Sequence, residues 1–173
     1  MIMEQLIEVR GHRLRYYEDG KLVFESYCGF GRGGFTSSKR EGDLRTPVGK
    51  FEIVSAFGTG DFPEAKLPYK KIGPDSYWSG EREDYNRRVE NPGGKRAMPH
   101  SERLSDYPVQ YKFALVIGYN IEAPQWGRGS AIFLHCRNVP KWQTAGCVSL
   151  PESRMRLLLE RLRKGAVISI ESA

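Results

Sequence analysis

The sequence predicts a mainly β domain with a single helix near its C-terminus. Three observations carry that expectation. The 173 residues include 19 Gly and 10 Pro, a frequency that favours turns over long helices. Short apolar or alternating runs recur between those turn residues. Only one segment, after residue 150, has a helical period. The length suits one domain spanning residues 1–173, and a 39% hydrophobic content is enough to bury a sizeable core.

Residues 5–10 and 13–28 read as extended segments joined at Gly11-His12. Asp19-Gly20 divides the second of them with a strong hairpin signal. Gly29-Phe30-Gly31-Arg32-Gly33-Gly34 has the glycines of a phosphate loop, but no Lys-Ser/Thr follows and no helix opens after it. It reads as a bend with close backbone approach. The polar stretch 37–49 closes on Thr46-Pro47-Val48-Gly49, where proline presets a turn and glycine relieves it. Residues 51–57 alternate like a half-buried strand. Residues 58–110 are rich in Gly, Pro and charge and show no helical period, so a long irregular insertion is expected there. Its aromatics, among them Tyr69, Tyr77, Trp78 and Tyr85, argue against plain disorder. They suit either a cleft wall or a loop anchored to the core. The apolar run 113–119 reads as a central strand, and 131–134 as a strand delivering His135. Met155, Leu158, Leu159 and Leu162 then fall at i, i+3, i+4 and i+7, giving a helix with one apolar face. Pro151 and Glu152 suit its first turn, Arg161, Arg163 and Lys164 suit its last, and Gly165 is the expected stop. Residues 166–170 close the chain as a strand.

The chemistry concentrates in the segment from Ala131 to Cys147. A strand ends in His135, and a short polar loop returns Gly146-Cys147 twelve positions after it. The thiolate is the reactive form of cysteine, and a free thiol has a pKa of about 8.5, so a nucleophilic cysteine needs a base. Cys147 is the candidate nucleophile and His135 the candidate base. The backbone N–H groups near Gly146 and Cys147 are candidate oxyanion donors, and Gly146 has no side chain to obstruct an approaching carbonyl. Taken singly, either residue could be a buried structural group. A Cys-His metal site with Cys136 lacks a clear fourth ligand and a CxxC-type spacing. No metal or cofactor is therefore expected. His12 and His100 fall in loops and read as solvated residues. The three cysteines, Cys28, Cys136 and Cys147, leave at least one thiol free, with a Cys28–Cys136 disulfide left open.

The formal net charge of +6 favours anionic partners. No nucleic-acid motif accompanies it, so a nucleic-acid partner is not expected. No run reaches the roughly 18 apolar residues of a membrane span. Residues 1–5 show no basic stretch leading into an apolar one, so no secretory leader is visible.

Several pieces, in order, resemble one known family. They are Lys39-Arg40-Glu41-Gly42-Asp43 with Thr46-Pro47-Val48-Gly49, Tyr85-Asn86-Arg87, Val116-Ile117-Gly118-Tyr119-Asn120, Gly129 to His135, and Thr144-Ala145-Gly146-Cys147. The chain is similar over nearly its full length to a divergent branch of the L,D-transpeptidase (YkuD-like) family. Ala145 stands where the commoner Ser/Thr-His-Gly-Cys motif has a second histidine, and the His135-to-Cys147 spacing is shorter than in most members. The resemblance implies a β-sandwich of mixed sheets. It implies a thioester on Cys147 and a His135 ring oriented by the backbone carbonyl of Cys136. It also implies peptidoglycan stem peptides as partners, whose carboxylates Arg137, Arg45 or Arg87 would bind unless they are surface charges, with Tyr85, Asn86 and Trp126 at the cleft or, for Tyr85 and Trp126, simply packed. An L,D-carboxypeptidase or endopeptidase using water, or a silent peptidoglycan-binding module, stays open. So does the compartment: the resemblance points to the cell envelope, and the absence of a visible leader leaves the cytoplasm open. The oligomeric state is not legible.

Overall fold

Alternation writes the first two strands. The computed structural model describes residues 2–173. In β1 (Gln5–Arg10) and β2 (Arg13–Glu18), Ile7, Val9, Leu14 and Tyr16 are fully buried while their neighbours are not. The turn to β3 (Lys21–Tyr27) takes two residues, Asp19 and Gly20, at φ of 48° and 77°. Positive φ at both positions matches the right-handed twist of the flanking strands. Two short parallel strands, β4 (Phe35–Thr36) and β5 (Thr46–Pro47), bracket the polar stretch, and β6 (Gly49–Gly58) follows.

The expected irregular insertion is more ordered than its sequence suggests. It holds β7 (Tyr69–Lys71), β8 (Ser76–Ser79), β9 (Arg87–Glu90) and β10 (Glu102–Arg103). The last three form their own sheet, in the order β10-β8-β9. Strands of two to four residues are too short for an alternating pattern to emerge. Side chains supply much of their order: Asn91 bonds both backbone groups of Arg96, and Glu81 accepts from His100 N and Ser101 Oγ.

The remaining elements are β11 (Ala114–Ile117), β12 (Phe133–Cys136), β13 (Val148–Leu150), α1 (Glu152–Arg161) and β14 (Val167–Glu171). The main mixed sheet runs β13-β12-β11-β6-β14-β1-β2-β3, with β7 beside β6. Its two ends almost meet. Beyond β3, Gly29 exchanges backbone hydrogen bonds of 2.9 and 3.0 Å with Ser149 of β13. The fold is thus mainly β with mixed sheets, as expected, and the main sheet is nearly closed.

Two apolar clusters occupy its two faces. Leu115, Ile117, Leu134, Cys136, Val148 and Leu150 join the larger one, which α1 covers with Met155, Leu158 and Leu159, followed by Leu162 just past its end. Ala114, Val116, Phe133 and Cys147 face the other way, against Phe57, Trp78, Leu104 and Tyr111. The strand expected at 131–134 begins two residues late, because Ala131 sits at φ 55° and cannot join the ladder. All three cysteines are free and buried, so the disulfide left open by the sequence does not form. Among the described residues no helix is long and apolar enough to cross a membrane.

The helix also stops before Gly165. Arg161 is its last residue, and the chain turns extended at Leu162. Gln5 explains the early stop: its Nε2 donates to Arg161 O at 2.7 Å and its Oε1 accepts from Arg163 N at 2.8 Å. A buried side chain from β1 thus satisfies helix-end groups that a longer helix would satisfy itself. Gln5→Ala strands these groups. A loss of about 1–3 kcal/mol is expected, read as a lower urea midpoint at unchanged m-value.

Candidate active site

The parallel pairing of β12 with β13 places the two candidate residues together. Leu134 lies opposite Val148 and His135 opposite Ser149. Side chains alternate across a sheet, so Phe133, His135, Cys147 and Ser149 share the face turned away from α1. Both His135 and Cys147 line a cleft of about 580 Å³. His135 Nδ1 lies 2.8 Å from Cys136 O. A carbonyl only accepts, so Nδ1 carries the hydrogen and Nε2 keeps its lone pair.

The thiol is held by backbone on two sides. Phe133 N–H donates to Cys147 Sγ at 3.3 Å, and the thiol donates to Ala131 O at 3.2 Å. Behind it, Thr144 Oγ1 donates to Cys147 O at 2.6 Å and accepts from Gly146 N at 3.0 Å. Thr46 Oγ1 donates to Gly146 O at 2.8 Å. These bonds correct the expectation for Gly146. Its N–H is engaged by Thr144, so it is not free to hold an oxyanion. Glycine is required there for another reason: its φ is 146°, and a Cβ would sit 3.0 Å from Arg45 O.

Burial sets the resting protonation. It pushes the Cys147 thiol up to about 12; Phe133 N–H and the Lys39 charge pull the other way, while the Glu102 charge adds to the rise. Burial pushes His135 down to about 4, against the opposing pull of the Cys136 carbonyl. At neutral pH the pair therefore rests as thiol and imidazole, not as thiolate and imidazolium.

The expected substrate-binding residues divide. Tyr85 is buried; its hydroxyl donates to Glu41 Oε1 at 2.6 Å and accepts from Gly129 N at 3.0 Å, so it supports the cleft wall from behind. Asn86, at φ 60°, is also fully engaged. Its Oδ1 accepts from Trp78 Nε1 and Ala131 N at 2.8 and 2.9 Å, and its Nδ2 donates to Tyr119 O and Asn120 O at 3.1 and 2.7 Å. No donor or acceptor of that amide is left for a substrate. Trp126 lies on the surface outside the cleft lining, with the Arg82 guanidinium 4.4 Å from its ring centroid. Arg45 and Arg87 are exposed and lie outside the lining as well. Arg137 reaches the site only indirectly, stacked 4.2 Å over Trp142, whose ring does line the cleft. His12 and His100 are exposed as expected, and His100 lies at the cleft edge.

Four residues lining the cleft were not singled out by sequence. Lys39 is buried and paired with Asp43. Glu102 accepts from the Tyr111 hydroxyl, and Trp142 closes a side. Lys39 and Asp43 lay inside a matched motif, which was a usable signal. Glu102, Tyr111 and Trp142 lay in stretches without pattern.

A nearly closed mixed sheet thus presents, on its cleft-side face, a buried cysteine and a histidine oriented by a backbone carbonyl. The chain belongs to the YkuD family, the L,D-transpeptidase catalytic domain, whose model matches residues 5–170. Solved structures share the fold. A cysteine-to-serine mutant of the Enterococcus faecium L,D-transpeptidase is 16% identical with a TM-score of 0.52, over 98% of this chain and 50% of that one. An L,D-transpeptidase from Mycobacterium smegmatis is 13% identical at 0.51, over 98% and 59%. Bdellovibrio bacteriovorus Bd1075 is 15% identical at 0.54, over 97% and 48%. The chain thus spans between about half and three-fifths of these proteins' lengths. No curated protein sequence matches it.

Two outcomes are expected. The iodoacetamide alkylation rate of Cys147, followed by mass spectrometry, should rise about tenfold per pH unit from 7 to 9, because the thiolate fraction does so well below the thiol pKa. A rate that levels off below pH 8 would contradict a neutral resting pair. Asn86→Ala leaves Ala131 N–H and Trp78 Nε1 unpaired and puts a Cβ residue at left-handed φ without the compensating amide. A loss of about 2–4 kcal/mol by urea unfolding is expected, together with faster alkylation of a loosened Cys147.

Proposed function

We propose that this domain is a cysteine acyltransferase acting on peptidoglycan stem peptides, an L,D-transpeptidase. The observation that carries this reading is the juxtaposition on the β12–β13 face: Cys147 and His135 in one cleft, with Nδ1 fixed by the Cys136 carbonyl and Nε2 left as base. Family membership supports the substrate class.

His135 Nε2 takes the thiol proton as Sγ attacks the donor carbonyl. A C–S bond forms, and the carbonyl oxygen becomes an oxyanion. The Cys147 N–H, which no acceptor among the described residues takes, is the donor nearest that oxygen. Protonated His135 then gives its proton to the leaving amine as the C–N bond breaks. The result is a thioester on Cys147 and a neutral imidazole. An acceptor amine resolves the thioester with His135 as base again. The neutral resting pair suits this sequence, because an imidazole low in pKa is free to accept the proton at neutral pH and passes it on readily. Stem peptides lie in the cell envelope, so the proposed place of work is extracytoplasmic.

Incubation with a tetrapeptide donor or a carbapenem should add the corresponding acyl mass at Cys147. Cys147→Ala should lower turnover on the order of 10⁴-fold or more with folding retained, and His135→Ala by about 10²–10⁴-fold. Retained turnover in the cysteine variant would overturn the reading.

A further inference from the structure

Two carboxylates line the cleft, Glu41 and Glu102, and among the described residues neither forms a salt bridge. Glu41 Oε1 accepts from the hydroxyls of Tyr85 and Ser130, and the buried Lys39 of the lining is paired with Asp43. Glu102 lies on β10 opposite Trp78 and accepts from the Tyr111 hydroxyl. The groups acting on its charge are its own burial, Tyr111 and the like charge of Glu41, and no cation is among them. It lines the same cleft as Cys147. Its charge raises both Cys147 and Tyr111, and the Tyr111 ring stands edge-on to His135 with centroids 5.6 Å apart. A half-buried carboxylate without a cation is costly to hold, and a cationic ligand relieves that cost.

We propose that Glu102 docks the acyl acceptor: a primary ammonium group ion-pairs with it, gives it one proton, and attacks the Cys147 thioester as the free amine. This rests on the acyltransferase reading. Glu102 accepts the first proton and becomes a neutral acid, which burial already favours by raising its pKa. The amine nitrogen bonds the thioester carbon, and His135 Nε2 takes the second proton. The C–S bond breaks, the departing thiolate recovers its proton from His135, and Glu102 releases its own to solvent. Tyr107, Tyr111, Glu41, His100, His135 and Cys147 are the titratable groups around this position.

The test is a competition for one acyl-enzyme of the full chain, formed with the tetrapeptide donor at pH 7. Glycinamide, largely protonated, competes with hydroxylamine, which is uncharged, and mass spectrometry reads the product ratio. That ratio reports relative kcat/KM and cancels any change in acylation. Glu102→Gln keeps an acceptor for the Tyr111 hydroxyl and removes only the charge. The glycinamide share should fall about tenfold relative to hydroxylamine. Glu102→Asp, which restores the charge, should recover part of it. An unchanged ratio in the Gln variant, or an Asp variant that matches Gln, would overturn the proposal. So would an unsubstituted acyl-enzyme that yields only hydrolysis, while leaving the Cys147 reading intact. Failure to form any acyl-enzyme on Cys147 would remove both.

Discussion

The four hydrogen bonds of the Asn86 amide join three separate parts of the chain. They link β8 through Trp78, the end of β11 through Tyr119 and Asn120, and the entry to β12 through Ala131. A buried primary amide is tolerable only when every donor and acceptor is met, so the three segments have little freedom to move separately. Ala131 is the sensitive one. Its left-handed φ turns its carbonyl to the Cys147 thiol, and the same bend fixes where the histidine strand begins. Asparagine tolerates such a φ better than most residues, and its short side chain reaches back to local backbone. A residue whose motif resembled a substrate-binding element is thus a joint in the scaffold. Its influence on the chemistry passes through the backbone of residue 131.

The electrostatics have two scales. The chain carries a formal charge of +6, which bears on long-range encounter with anionic polymers. The cleft is mixed. Arg32, Lys39 and Lys141 line it alongside Glu41 and Glu102. Cys147 and His135 lie where burial favours the uncharged form of both. Net charge therefore says little about what the site recognises, and the arrangement of a few half-buried groups says more.

Much of the fold was legible. The Asp19-Gly20 hairpin, the apolar face of α1 and the buried run of β11 each carry a local pattern that the structure reproduces. Where the reading failed, a distant residue had overridden a local signal. Gln5 ends α1 before Gly165, from the far end of the chain. The strands between residues 69 and 103 are held by side-chain bonds that no period reveals. The placement of Cys147, His135 and the Cys136 carbonyl in one site was readable because a strand, a return loop and a resemblance converged on them. The residues assigned to substrate were not, because a motif match gives position in sequence and not the direction in which a side chain points. Tyr85 and Asn86 point inward, and Trp126 points to solvent.

β12 is only four residues long, yet its two sides face different tasks. Leu134 and Cys136 pack under α1, while on the other side Phe133 is buried in the second apolar cluster and His135 lines the cleft. Tolerance to substitution along this strand therefore has a period of two. Positions 134 and 136 ask for volume, and an apolar side chain of similar size satisfies them. At position 136 the carbonyl that orients the imidazole comes with any residue. Positions 133 and 135 ask for shape and protonation together. A swelling or a void on the core side still reaches the cleft, because a strand this short has no slack with which to absorb it. Core packing beneath His135 is in this sense a tuning element for the chemistry above it.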